Sequence, residues 1–223
     1  MRKKLVALMS IIIALPLMAQ APAKDWARTN MYADANAKLT VKPKAVFLGD
    51  SITYGWWRAD EAFFTDNNYA GRGISGQTTA EMLVRFRSDV VALQPKYVAI
   101  MAGTNDIAGN NGFISIDKIV DNLISMCEIA KANKIKPILC SVTPVTRYGW
   151  SKLVTGDPSP LIMELNSKLE AYAAKTKGVI YVDYFSALKS ETNGIRSQYT
   201  VDGCHLTLEA YKIIEDIIMK KLK

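Results

Sequence analysis

Short apolar runs of strand length alternate along this chain with longer stretches whose apolar positions recur every three or four residues. Ala45–Leu48 (AVFL), Tyr97–Met101 (YVAIM), Ile138–Val142 (ILCSV) and Val179–Val182 (VIYV) read as buried strands, and Tyr69–Gly71 as a weaker one. Between them, Leu83, Phe86, Val90 and Leu93 keep helical spacing, and so do Ile116, Ile119, Leu123, Met126 and Ala130. The same period returns in Leu161, Leu165, Leu169 and Tyr172, and in Leu208, Tyr211, Ile214 and Ile218. Thr78 with Glu81 predicts a capping box at one helix start, and Ser159-Pro160 an N-cap followed by proline in the first turn. Residues 24–44 read as an N-terminal arm with a short helix around Tyr32–Leu39. No repeat, linker or low-complexity tract interrupts the pattern, so residues 24–223 are expected to form one domain.

Strands that alternate with amphipathic helices predict an α/β fold, a three-layer α/β/α sandwich with both faces of a parallel sheet covered. Five strands suggest a doubly wound, flavodoxin-like order, in which ligands bind beyond the carboxyl ends of the strands. Each polar motif of interest falls at such an end. Gly49-Asp50-Ser51 follows the first strand, Gly73–Thr78 the second and Gly103–Asp106 the third. The long irregular stretch Thr143–Ser159 follows the fourth, and Asp202–His205 precedes the last helix.

The N-terminus changes this picture only by removing itself from it. Arg2, Lys3 and Lys4 precede an apolar run, Leu5–Leu17, that is too short to span a bilayer. This is the layout of a secretory signal peptide, residues 1–19, with cleavage expected after Ala19 or after Ala21; Pro22 makes the second site awkward. An exported protein, periplasmic or extracellular, is the expectation. No cysteine stands at the cut, so no lipid anchor or other stable membrane anchor is expected there.

That leader takes three of the 28 basic residues and none of the 21 acidic ones, leaving 25 bases against 21 acids. The bases are scattered, apart from Lys220, Lys221 and Lys223, so no nucleic-acid partner is expected. Cys127, Cys140 and Cys204 are odd in number and lack zinc spacing, and with one histidine in the chain no metal site is expected. Cys127 and Cys140 lie within apolar patterns and read as core.

The single histidine carries the chemistry. A serine hydroxyl becomes a useful nucleophile when a base takes its proton, and histidine is the usual base near neutral pH. Only His205 can fill that role, and Asp202 stands three residues before it, positioned to hold its tautomer. Ser51 sits where a strand turns, led by Gly49. The glycine-bearing loop Gly73–Thr78 offers backbone N–H donors, and Asn105 offers a neutral side-chain donor. Asp50 and Asp106 read as acceptors that organise their loops. Taken singly, each of these motifs also suits an ordinary turn or helix cap.

Taken in order, FLGDSIT (Phe47–Thr53), GISGQTT (Gly73–Thr79), MAGTNDI (Met101–Ile107) and DGCHLT (Asp202–Thr207) resemble the SGNH hydrolases, the GDSL-type esterases and lipases, over nearly the whole chain after the leader. The resemblance implies the SGNH hydrolase fold and a carboxylic ester hydrolase that works through an acyl-enzyme. It implies Ser51 as nucleophile, His205 as base and Asp202 as its orienting acid, with Ser51, Gly76 and Asn105 as oxyanion-hole donors. Gly73 competes with Gly76 for the glycine role, and Gly76 is favoured because it follows the Ile-Ser pair. Cys204 fills a variable position and reads as packing. No cofactor is called for.

Substrate signals are thinner. Trp56 and Trp57 follow the nucleophile turn, and Arg147, Tyr148 and Trp150 lie in the long loop. Aromatic side chains beside a cleft stack on sugars or cover acyl chains. Arg72, next to Gly73, either faces the site or makes a surface ion pair. Export and the aromatics favour a small-molecule or glycan ester as partner, with short acetyl esters of carbohydrates first. The alternatives are a lysophospholipase or thioesterase for longer acyl chains, and a noncatalytic glycan-binding module.

Overall fold

The computed structural model describes residues 25–223. The leader expected over residues 1–19, and both cleavage positions, lie outside the described residues. Five parallel strands form one sheet in the order β2-β1-β3-β4-β5: β1 Ala45–Gly49, β2 Tyr69–Gly73, β3 Tyr97–Met101, β4 Lys136–Cys140 and β5 Ile180–Val182. This is the flavodoxin-like order. Leaving β1, the chain goes first to β2 on one side and then to β3 on the other, which opens a crevice at the carboxyl ends of β1 and β3.

Side-chain alternation along the strands makes two cores. Val46, Leu48, Val98, Ile100 and Leu139 face one side, under α4 (Thr79–Asp89), α6 (Ile116–Ala132) and α7 (Ser159–Lys175). Phe47, Ala99, Met101, Ile138 and Cys140 face the other, under α2 (Ser51–Ala59), α3 (Glu61–Thr65) and α9 (Leu208–Met219). With both faces covered, the strands read as continuous apolar runs rather than alternating ones. Phe47 anchors the second core, its ring 5.3–5.7 Å from those of Trp56, Phe63, Phe64 and Tyr69.

Two boundaries differ from the sequence reading for identifiable reasons. Strand β4 begins at Lys136 and ends at Cys140, two residues earlier than the apolar run suggested. Lys136 N–H bonds Lys96 on the β3 side, so Pro137 turns its missing N–H toward the β5 side, where pairing starts only at Ile138. At the other end the Asn166 side chain takes both backbone groups of Val142, bonding its N–H at 2.8 Å and its C=O at 3.0 Å. Helix α7 starts at Ser159, with Asp157 accepting the Ser159 N–H at 2.9 Å, so Pro160 falls inside the first turn. Its core face is Ile162, Leu165 and Leu169; Leu161 lies at the surface.

The arm helix is shorter than expected, α1 Ala33–Ala37, and two other short helices, α5 (Thr104–Ile107) and α8 (Phe185–Leu188), follow β3 and β5. The arm is fastened by polar bonds: Arg28 Nη2 donates to Ser75 O, Gln77 Nε2 to Ala27 O, and the Tyr32 hydroxyl to Gly73 O. Arg72 contributes as well, bonding Asn36 through Nε and stacking on the Tyr32 ring. It is buried, and it neither faces the cleft nor makes a surface ion pair. The capping box forms as read, with Thr78 N–H on Glu81 Oε2 at 2.8 Å. Among the described residues no helix is long and apolar enough to cross a membrane.

Candidate active site

Ser51 opens α2 directly at the end of β1. Asp50 is the N-cap: its Oδ1 accepts the Ile52 N–H at 3.0 Å, which fixes the turn and leaves the Ser51 side chain at the crevice. A Cβ on Gly49 would meet Thr53 Oγ1 at 2.0 Å and Met101 O at 2.8 Å, so the strand-to-helix turn requires glycine there. Burial pushes the Asp50 carboxyl up to about 6, against the Ile52 N–H and the nearby charge of His205.

The second part comes from the other end of the chain. Asp202 and His205 lie in a short loop before α9. Asp202 Oδ1 accepts the N–H groups of Cys204 and His205 at 2.9 and 2.8 Å, and its Oδ2 sits 2.7 Å from His205 Nδ1. Partial burial raises this carboxyl, but the His205 ring and the two amides outweigh it and hold it below its usual value. Gly203, at φ +96°, makes the reversal, and its C=O accepts the Thr146 N–H at 2.8 Å. That bond ties the histidine loop to the loop after β4. The outcome is His205 Nε2 at 3.0 Å from Ser51 Oγ, across 154 positions of sequence.

The third part lines the crevice opposite. The cleft, about 290 Å³, is bounded by Ser51, Ser75, Gly76, Asn105, Trp150 and His205, with Asn110 beside them. Gly76 sits at φ +81°, a left-handed conformation that glycine adopts freely, and the nearest atom to a Cβ there would be Asn110 Nδ2 at 3.7 Å. Gly73 lies behind the Ser51 turn, where a Cβ would come within 2.2 Å of Tyr54 N and 2.6 Å of Thr53 C, and it does not line the cleft. Asn105 Nδ2 donates to Gln77 O at 3.1 Å, and its Oδ1 accepts from Asn110 Nδ2 at 2.9 Å. The carbonyl oxygen is thereby engaged, and one amide hydrogen remains for the cleft. Asp106 accepts the Thr79 N–H at 2.9 Å and the Thr79 hydroxyl at 2.6 Å, joining the loop after β3 to the start of α4.

Of the tryptophans read as substrate-binding, only Trp150 borders this cleft. Its ring centre lies 6.0 Å from that of His205, and it is 42% exposed. Trp56 is fully buried, stacked on Phe63 and Tyr211, with Nε1 donating to Glu215 at 2.9 Å. Trp57 packs on Phe64 and lines a separate cavity of about 540 Å³ with Tyr54 and Arg72. The reason is helical rise. Ser51 is the first residue of α2, and residues five and six positions on lie about 7–9 Å down its axis, away from the strand ends. Tyr148 is buried beneath Trp150, their ring centres 5.4 Å apart.

Two supports were not legible beforehand. Asn110 accepts the Trp150 Nε1–H at 2.9 Å and donates to Gly76 O at 3.0 Å as well as to Asn105, so one amide ties both loops and the aromatic wall together. Arg85, wholly buried, donates to Gly49 O, to Gln77 Oε1 and to Asp89 at 3.1, 2.6 and 3.0 Å. Removing one partner of such a buried pair typically costs about 3–5 kcal/mol. The spacing Arg85–Asp89 at i,i+4 was the only available signal, and it looks like a surface pair. All three cysteines are free and buried; burial raises the thiols of Cys127 and Cys140 to about 12 and that of Cys204 higher still. Among the described residues no group of three or more His, Cys, Asp or Glu side chains could hold a metal ion.

The fold and these motifs define a class. The chain belongs to the GDSL-like Lipase/Acylhydrolase family, whose model matches residues 47–213, so the likeness to SGNH hydrolases holds. The crystal structure of a GDSL-like lipase from Bacteroides thetaiotaomicron (BT0569) superimposes with a TM-score of 0.83 at 44% identity, covering 88% of this chain and 97% of that one. The isoamyl acetate-hydrolyzing esterase of Saccharomyces cerevisiae is 24% identical over 162 residues, 68% of this chain and 67% of that esterase. The lipoprotein YqeF of Bacillus subtilis is 40% identical over 76 residues, a third of this chain, and the match spans 31% of the lipoprotein's length. Family and relatives together place the chain in the class of carboxylic ester hydrolases.

Proposed function

We propose that this protein is an exported serine esterase that hydrolyses short acyl esters, acetyl esters of carbohydrates first among them. The observation that carries the reading is the single histidine, with Nε2 at 3.0 Å from Ser51 Oγ and Nδ1 at 2.7 Å from Asp202. His205 takes the Ser51 proton as Oγ attacks the ester carbonyl, and Asp202 steadies the imidazolium that forms. The N–H groups of Ser51 and Gly76 and the Asn105 amide hold the tetrahedral oxyanion; losing one such donor typically costs about 10²- to 10³-fold in rate. His205 then protonates the leaving alcohol. It next activates a water that releases the acid from Ser51.

The short-acyl preference rests on the cleft itself. It is small, about 290 Å³, and apart from Trp150 the residues that line it are polar or glycine, which gives a long acyl chain little cover. The acetate ester in the yeast esterase's name points the same way. Export is supported by the apolar leader and by the lipoprotein match. The test is a series of 4-nitrophenyl esters from acetate to decanoate, run on the wild type and on Ser51→Ala. Turnover should fall with chain length, and the Ser51→Ala protein should lose about 10⁴-fold or more. Preference for decanoate would move the assignment to a lysophospholipase or thioesterase. A wild type inert on every ester would leave the binding-module reading.

A further inference from the structure

We propose that the cleft is the first station of a longer groove that holds the chain of an acetylated oligosaccharide, with Trp26 and Phe113 as its far stacking platform. This rests on the ester-hydrolase reading and adds a polymeric substrate to it. Three hollows share walls in succession. The cleft at Ser51 shares Gly76, Asn110 and Trp150 with a hollow of about 610 Å³. That hollow shares Arg28, Glu81 and Asn111 with another of about 760 Å³, which Trp26 and Phe113 flank. The reaction needs only the first. The other two together have several times its volume and open from it past Gly76, Asn110 and Trp150.

Their chemistry selects the occupant. Trp26 is 59% exposed and Phe113 81%, and each is a large apolar face held open to water. Between them and Trp150 the walls mix polar and apolar groups, with Arg28, Asn111 and Lys152 standing beside Ala108 and Leu153. A hydrocarbon chain laid here would strip water from the polar groups and return no hydrogen bonds. A sugar chain matches both features: its C–H faces cover aromatic rings, and its hydroxyls replace the lost water at guanidinium, amide and ammonium groups. Trp150 belongs to both the cleft and the adjoining hollow, so a sugar next to the esterified one would pass over it.

The test compares kcat/KM for acetate release from acetylated xylo-, manno- and galacturono-oligosaccharides of two to eight units with that for 4-nitrophenyl acetate. For at least one series the wild type should gain about tenfold or more with length, the worth of two aromatic contacts. Trp26→Ala/Phe113→Ala should lose that gain, so that the ratio of long oligosaccharide to 4-nitrophenyl acetate falls by the same factor. Both side chains are exposed, so the fold is not at stake. No length dependence in any series, or a gain that survives the double substitution, would overturn the groove while leaving the esterase reading intact. Failure to cleave 4-nitrophenyl acetate would strike the esterase reading instead.

Discussion

A carboxylate buried one residue before Ser51 should leave a signature in the pH dependence of stability. Asp50 is 2% exposed, and burial raises its carboxyl from 3.8 to about 6. Between these values the folded protein holds a proton that the unfolded chain has released. Stability must therefore fall as pH rises through this window. The contribution is fully present below 3.8 and gone above about 6. The interval corresponds to about 3 kcal/mol. Asn at this position still accepts the Ile52 N–H, so Asp50→Asn keeps the cap and removes the titration. Urea unfolding of both proteins at about pH 4 and pH 7.5 isolates the effect, because any fixed cost of the amide cancels between the two conditions. The stability difference should swing toward the variant by about 2–3 kcal/mol on going to the higher pH. The same substitution removes a negative charge that acts on His205, so kcat should fall. A wild-type–variant difference that stays flat across this range would refute the argument.

Asn110→Ala should lower kcat on 4-nitrophenyl acetate with little change in KM, because the Asn105 amide loses one of the two bonds that aim it. One lost bond of about 1 kcal/mol is worth about fivefold, well short of the loss expected for Asn105→Ala, and equal losses would mean that Asn110 itself meets the oxyanion. The two candidate glycines separate by readout: Gly73→Ala should give little folded protein, since its Cβ would run into the Tyr54 and Thr53 backbone. Gly76→Ala should fold, at the cost of a strained φ, and lose rate. Thermal melts beside initial rates decide between them, and a folded Gly73→Ala with impaired turnover would reverse the assignment.

The features that were legible in the sequence are those written in local spacing. Buried strands covered on both faces leave uninterrupted apolar runs, so the strand order along the chain and the α/β class could be read directly, with Thr78 and Glu81 marking a helix start. The positions of Ser51, Asn105 and His205 at strand or helix ends followed from the same alternation. Side-chain direction on α2 did not. Trp56 and Trp57 are close to Ser51 in sequence, but a helix leaving the crevice carries them away from it within two turns. Nothing in local spacing marks Arg85 as buried, because an i,i+4 charge pair has the same spacing inside or outside a protein.

Everything that joins distant stretches was decided by tertiary packing alone. The 3.0 Å approach of His205 to Ser51 depends on the strand order, on α9 packing beside α2, and on the loop after β4 holding Gly203. Asn110 became visible only once the loops bearing Gly76, Asn105 and Trp150 met. The amino-acid sequence by itself determined which groups are available and the strand or helix end where each one sits. Which of them touch was settled by the fold, because local periodicity records the face a side chain turns inward and carries no information about the neighbour it finds there.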